Sequence, residues 1–266
     1  HNRVGDETYA YDIETGNMIE KDSIPYTYDD MNRLIGWGDY TYSYDLLGNI
    51  TSQPLIGDFT YDAYKLNDMA EASGFHADDS LSISYYQALG RPKCIKNENY
   101  KAEFSYDGNG NRILMKVYKK VSGQYMPYLT RYYLGEEAEV NIDSLGKRKG
   151  YYYAGNDAQT APAVMEVQPG GSASIWKIVR DNVGSVFGYN RSTLHYKFSY
   201  NPWGVRTQLD DVTDFQMPGE SLGDCPFYRT YRGYEDLWMF GLLFDKTRLY
   251  NPYQGRYLSP ETVVNR

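Results

Sequence analysis

The feature that most limits what this chain can become is a repeated tyrosine-aspartate pair followed by a turn. The order aromatic-x-Tyr-Asp-x-x-Gly-Asn/Arg-apolar occurs at Tyr11-Asp12 with Gly16-Asn17, and at Tyr28-Asp29 with Asn32-Arg33-Leu34. It returns at Tyr44-Asp45 with Gly48-Asn49-Ile50, and at Tyr106-Asp107 with Gly110-Asn111-Arg112-Ile113. Weaker copies stand at Tyr61-Asp62 and at Tyr86-Gln87 with Gly90-Arg91-Pro92. The first copies recur at roughly 17 residues, enough for two short strands and two turns. In Tyr40-Thr41-Tyr42-Ser43-Tyr44 strict alternation sends three rings to one side of a strand and the small hydroxyls to the other. The strand ends at Asp45-Leu46-Leu47-Gly48-Asn49, because Asp bonds backbone two residues on and Gly or Asn accepts a positive φ. One hairpin buries too little to persist, so successive units must pair edge to edge and share a ladder of aromatic contacts. The expectation is an all-β chain, a long ribbon of antiparallel hairpins that sheet twist curls.

Composition supports this. The chain has 266 residues, enough for one large β domain or two ordinary ones, and 30 of them are tyrosine. With a mean hydropathy of -0.65, tyrosine must carry much of the packing. A net charge of -8 argues against nucleic acid or an anionic membrane as partner, and Lys147-Arg148-Lys149 reads as a solvated turn. No segment approaches the roughly 18 apolar residues of a membrane helix. The opening His1-Asn2-Arg3 lacks a Met, which leads to the expectation of a longer parent protein. Cys94 and Cys225 are too few and too far apart for a paired-cysteine zinc motif, leaving one bridge or two buried thiols, of which the thiols fit better.

The repeats resemble the YD repeats of bacterial Rhs proteins, which are similar to repeats of animal teneurins and of the shell subunits of insecticidal toxin complexes. The second half extends the resemblance. Tyr132-Tyr133-Leu134-Gly135, Asp181-Asn182-Val183-Gly184-Ser185-Val186 and Tyr200-Asn201-Pro202-Trp203-Gly204-Val205-Arg206 follow, in order, landmarks of the Rhs-associated core region. Arg232-Gly233-Tyr234-Glu235, Phe240-Gly241-Leu242 and the run Arg248-Leu249-Tyr250-Asn251-Pro252-Tyr253-Gln254-Gly255-Arg256-Tyr257-Leu258-Ser259-Pro260 look like the family's closing signature, in a form most similar to Bacteroidetes members. The resemblance covers essentially the whole chain. It implies a ribbon spiralling into a hollow Rhs-type shell, secreted or at the bacterial cell surface, that encloses or presents a C-terminal toxin or effector cargo in interbacterial competition. Asn251 and Glu261 replace the usual aspartates, and Tyr234 a common His. After Pro260 the chain reads Glu261-Thr262-Val263-Val264-Asn265-Arg266 in place of the Asp-Pro-x-Gly cleavage stretch of many relatives, so self-cleavage by an aspartyl autoprotease is the weakest reading and no catalytic residue is carried over.

Other chemistry fares poorly. The three histidines, His1, His76 and His195, read as an end, a loop and a strand residue, not as a general base. Asp107-Gly108-Asn109-Gly110-Asn111 starts like a calcium loop, but Arg112 and Tyr118 stand where Gly and a bidentate Glu are needed. The acidic pairs Asp29-Asp30, Asp78-Asp79 and Asp210-Asp211 are adjacent, which sends their carboxylates apart on a strand and exposes both in a turn. No enzyme activity, cofactor or metal is expected. A glycan- or protein-binding module of the cell surface, using Trp37, Trp203 or Trp238, is the alternative function. Asn49 and Asn190 match glycosylation acceptors that a bacterial chain would leave unused.

The clear repeats end near Val121-Ser122-Gly123, which divides the chain into a YD-repeat ribbon over 1–130 and a core-associated region over 131–266, expected to be continuous. Gln168-Pro169-Gly170-Gly171-Ser172 and Gln216-Met217-Pro218-Gly219-Glu220 read as long surface loops, and Glu235–Phe240 as the place for a short helical turn. Open ribbon ends require either protected edges or self-association.

Overall fold

The hairpins of this chain are closed by one hydrogen-bonded turn used repeatedly. In the computed structural model the Asp107 carboxylate accepts the backbone N–H of Asn109 at 2.9 Å and of Asn111 at 2.8 Å. Its carbonyl accepts from Gly110, and its own N–H reaches the Asn111 carbonyl. The same pair of side-chain bonds forms at Asp29 to Met31 and Arg33, at Asp143 to Leu145 and Lys147, and at Asp181 to Val183 and Ser185. Asn201 makes it to Trp203 and Val205. At Asp12 the turn is one residue longer, and the carboxylate takes Glu14 and Thr15. The fourth turn residue is left-handed, Gly110 at φ 80° and Asn32 at φ 58°, a conformation in which Gly and Asn are least penalised. Turn chemistry therefore continues well past residue 130.

A second device joins one turn to the next. The Tyr28 hydroxyl donates to the Met18 carbonyl at 2.8 Å, Tyr44 to Leu34 at 2.7 Å, Tyr106 to Pro92 at 2.9 Å and Tyr200 to Val186 at 2.7 Å. Each acceptor lies just after the preceding Gly/Asn turn, at Gly16-Asn17, Asn32-Arg33, Gly90-Arg91 or Gly184-Ser185. A tyrosine thus staples its own hairpin to the one before while its ring packs in the ladder, as Tyr106 does edge-on to Tyr86 at 6.0 Å.

The structure describes residues 2–4, 7–46, 48, 50–53, 57–61, 69–73, 81–86, 89–155, 157–192, 194–207, 228–253 and 255–258. Their contacts divide the chain into two units, one formed by residues 1–82 and one by 83–261. In the first, β1 (Asn2–Val4), β2 (Glu7–Tyr11), β3 (Met18–Lys21), β4 (Ile24–Tyr28), β5 (Leu34–Trp37) and β6 (Tyr40–Thr41) lie in sequence order in one antiparallel sheet. There β7 (Ser43–Tyr44), β8 (Ile50–Gln53), β9 (Gly57–Tyr61) and β10 (Met69–Ser73) pair likewise, each with the next. Of the alternating rings, Tyr42 is buried, Tyr44 half-buried and Tyr40 exposed on one side, where it packs on Trp37.

The second unit opens with β11 (Ser82–Tyr86) and continues as a ten-strand antiparallel run in which every strand pairs with its successor. These are β12 (Arg91–Lys96), β13 (Tyr100–Tyr106), β14 (Arg112–Val121), β15 (Gln124–Leu134) and β16 (Ala138–Asp143). They are followed by β17 (Arg148–Tyr153), β18 (Ala163–Val167), β19 (Ala173–Arg180), β20 (Val186–Arg191) and β21 (Leu194–Lys197). One face buries Tyr151, Tyr153, Val164, Trp176, Ile178 and Tyr189. A hairpin of β22 (Ser199–Tyr200) and β23 (Arg206–Thr207) follows. The last sheet contains β24 (Glu235–Leu237), β25 (Leu242–Asp245), β26 (Arg248–Asn251) and β27 (Arg256–Tyr257). Among the described residues the helical elements are two single 3-10 turns, Tyr231–Gly233 and Trp238–Phe240, the latter where a helical turn is expected. The all-β antiparallel class read from the repeats is thus the observed one. The expected division at 130 falls inside β15, which is hydrogen-bonded on both sides.

One reading differs. Gln168–Ser172 is a tight turn joining β18 to β19, not a long loop, because Gln168 N–H reaches the Ser172 carbonyl and Gly171 N–H the Gln168 carbonyl. Cys94 is a half-buried free thiol, and burial pushes its pKa up. Asn49, Asp62, His76, Asp78, Asp79, Asp210, Asp211, Cys225 and Pro260 lie outside the described residues, as do the stretch 216–220 and the side chain of His195.

The staple and the turn make separate predictions. Tyr106→Phe removes one net hydrogen bond and should lower unfolding free energy by about 1 kcal/mol in urea titration, whereas an unchanged midpoint would refute the staple. For the turns, the side-chain bond from Thr15 holds Asp12 below its usual pKa, and backbone bonds from Arg33 and Asn111 do the same for Asp29 and Asp107. A carboxylate lowered on folding stabilises fully above its unfolded value of 3.8 and loses that contribution as pH falls through the folded value. Asp107→Asn, which keeps the acceptor as Asn201 does, should fold normally at pH 7 and lose less of its urea midpoint between pH 5 and 3 (a range of about two units around the carboxylate pKa) than the parent. An equal or larger acid loss would contradict this.

Candidate functional site

The residues that bring distant segments together sit on the buried face of the ten-strand run. Antiparallel register places Arg131 opposite Asn141 and Tyr133 opposite Glu139, all four on the same face. All are buried, with Arg131 completely so. The Arg131 Nε donates to Asn141 Oδ1 at 2.8 Å and lies 3.9 Å from Glu139.

Glu235, the first residue of β24, enters this face fully buried. Its carboxylate accepts from Arg131, from Arg112 at the start of β14, and from the Tyr133 hydroxyl at 2.8 Å. Arg229, which bridges to Glu235 through the backbone, pairs with Glu139, and the Tyr153 hydroxyl donates to the same carboxylate at 3.3 Å. The guanidiniums also lie on rings, Arg112 at 4.2 Å from Tyr133 and 4.1 Å from Phe244, and Arg131 at 3.8 Å from Tyr228. Burial alone would raise the Glu235 pKa, but Arg112, Arg131 and Arg229 outweigh it and hold the carboxyl well below its usual range. Burial likewise works against charge on Arg131 and Arg229, and the two glutamates reverse that. Next to it Asp236 is pushed up to about 6 by burial, with Arg206 at 3.4 Å its opposing cation.

The segment 228–258 is held on this face by further bonds. Asn97 donates to the Met239 carbonyl, Tyr189 to the Arg229 carbonyl, and Val186 N–H to the Thr230 carbonyl. Phe104 stacks on Phe244 at 6.1 Å, and Trp238 meets Tyr100 edge-on at 5.4 Å. The closing signature therefore makes a module docked through ionic and aromatic contacts. Within it, Tyr250 is buried among Tyr231, Tyr234 and Tyr257 and donates to the Trp203 carbonyl, while Tyr234 and Tyr257 share a hydroxyl bond of 2.6 Å. Gly233 is required by close approach: a Cβ there would collide with the Gln159 carbonyl oxygen. The face of Trp203 lies against Gly255.

Of the residues read from sequence, Tyr11, Asp12, Gly16, Tyr28, Asp29, Tyr44, Asp45 and Gly48 lie in the first unit's hairpins, and Tyr106, Asp107, Gly110 and Arg112 in the second's. Gly184 and Gly204 occupy the left-handed places of the Asp181 and Asn201 turns, and Gly241 follows the Trp238–Phe240 turn. Pro252 is buried and Arg256 begins β27. Asn251 accepts from Tyr253 N–H at 3.0 Å, so the amide oxygen replaces the usual aspartate. The structure brings Arg112 to the docked module, while the repeat tyrosines end their strands and the Asp and Gly residues stand in the turns. Glu235, Arg131, Arg229, Glu139 and Tyr133 were missed as a group. The available signal was the parity of Arg131 with Tyr133 and of Glu139 with Asn141 along their strands.

No family model and no curated protein matches the chain. Solved structures of TcdB2-TccC3-TEV and of TcdB2-TccC3 are similar to it at a TM-score of 0.48 and 14% identity, over 96% of this chain. The chain spans only 17% and 18% of those chains. A porin-like protein from Bacteroides vulgatus is similar over 74% of this chain at a TM-score of 0.31 and 12% identity. Among the described residues no helix is long and apolar enough to cross a membrane.

The seam yields a direct prediction. Glu235→Ala leaves buried guanidiniums without their shared carboxylate and should cost about 3 to 5 kcal/mol in denaturant unfolding. A loss below about 1 kcal/mol, the scale of an exposed pair, would contradict the burial of charge described above.

Proposed function

We propose that the chain is a non-enzymatic structural segment of an Rhs-type β-ribbon shell, secreted or displayed by a bacterium, that encloses or presents a C-terminal cargo. One observation carries this reading. The Asp/Asn turn recurs from Asp12 to Asn201 as a scaffold device, and tyrosine staples at Tyr28, Tyr44, Tyr106 and Tyr200 accompany it, with side chains spent on joining hairpins. The docking of segment 228–258 on the buried face supports it, since a module fixed there would hold this segment against the ribbon. The oxygens of the Asp107 turn that resemble a calcium loop are occupied by Asn109 and Asn111, which fits a structural use of those residues.

The alternative, a surface module binding glycan or protein, draws on the outward face of the ten-strand run. There Tyr152, Met165 and Ile175 are exposed on the successive strands β17, β18 and β19, with Tyr152 opposite Met165 and Met165 opposite Ile175, and Leu134 is exposed two strands away on β15. The tryptophans suit it less, as Trp37 packs between Tyr26 and Tyr40 and Trp238 against Tyr100.

The test is limited proteolysis of the longer protein encoded with its downstream sequence. The shell reading predicts a downstream domain that resists protease while the ribbon is folded and is cut once denaturant opens it. A downstream segment cut equally fast in both conditions, or none encoded, would contradict the enclosure.

A further inference from the structure

A cavity of about 470 Å³ opens beside the seam, between the Asp107–Asn111 turn and the Lys246-Thr247 turn. Its size suits a small ligand. Four cations line it, Arg91, Arg112, Arg229 and Lys246, and three are matched. Arg112 pairs with Glu235, Arg229 with Glu139, and Lys246 with Glu136 at 3.0 Å and Asp157 at 3.7 Å. The fourth acid of the wall, Asp107, is engaged by its own turn. Arg91 is left over. Among the described residues it has no hydrogen-bond or ion-pair partner, and its Nε is buried without an acceptor.

The repeat shows what Arg91 lacks. In the Asp29 turn, Arg33 occupies the same place, four residues after the aspartate, and its Nε pairs with Asp29 at 2.6 Å. In the copy that carries Arg91 the aspartate position is Gln87, so the internal carboxylate is missing.

We propose that this cavity binds a small ligand bearing a carboxylate or phosphate, with Arg91 as the residue that recognises the anionic group. A planar guanidinium takes either oxyanion through two parallel N–H bonds. The polar wall formed by Asn109, Asn111 and Gln159 would meet the neutral part of the ligand. Partial burial works against the charge of Arg91, and an anionic ligand would offset that cost by supplying the missing counter-ion. Because the cavity walls come from the sheet and from the docked module, an occupant would tie the two together and stabilise the folded form. This site stands whether or not the ribbon encloses a cargo.

Thermal unfolding and calorimetric titration of the 266-residue chain with sodium phosphate and, separately, sodium citrate test it, at ionic strength held constant with sodium chloride. The expected result is a saturable rise in Tm beyond the chloride control in at least one arm, the stronger arm identifying phosphate or carboxylate. Arg91→Ala should keep the parent's circular dichroism spectrum and weaken that binding by about ten-fold or more, while Arg91→Lys retains part of it. No rise beyond chloride in either arm, or a rise of equal affinity in Arg91→Ala, would overturn the proposal.

Discussion

The tyrosine hydroxyl that reaches back to the preceding hairpin is the contact on which the rest of this structure depends. An Asp or Asn turn specifies its own hairpin locally, through two short bonds from one side-chain oxygen. A hairpin alone is marginal in water, however, and nothing in the turn connects it to its neighbour. Tyr28, Tyr44, Tyr106 and Tyr200 add a side-chain connection to the backbone pairing of neighbouring strands, each spending its polar end on a backbone carbonyl and its ring on the ladder. A chain poor in aliphatic residues can thus hold a sheet many strands wide, because one residue type provides both apolar area and a directed bond.

The ionic seam solves a different problem, that of fixing where the closing module sits. Burying three guanidiniums and two carboxylates is costly, and replacing them by apolar groups of similar volume is often neutral or better for stability. What charge adds is discrimination between positions. A module displaced by two residues along the sheet would leave Glu235 without Arg112 and Arg131, and Arg229 without Glu139. An apolar contact would tolerate such a shift far better.

The legible part of the fold was the part written in local chemistry. Tyr-Asp and Gly at fixed spacing announce a strand and its turn, and Tyr106 through Arg112 behave as that spelling requires. The same turn at Asp143 and Asp181 was hidden because Ile142 and Arg180, not tyrosine, precede the aspartate, and at Asn201 because an amide replaces the acid. For the same reason the expected boundary at 130 marks a change in spelling within a continuous sheet. The seam was illegible for another reason. Arg131 and Glu235 are separated by more than a hundred residues, and no local pattern distinguishes a buried arginine on a strand from a solvated one. Arg91 became meaningful only when the structure showed which of its neighbours were already paired.

Native-state hydrogen exchange resolved to single amides over β12 to β20 addresses the central claim most directly. If staples and shared rings join the hairpins, amides of neighbouring hairpins will exchange through one common opening with a single free energy and a single denaturant dependence. Hairpins that open one at a time, each with its own smaller free energy, would show that the turns act alone and that the ribbon is not held as a unit.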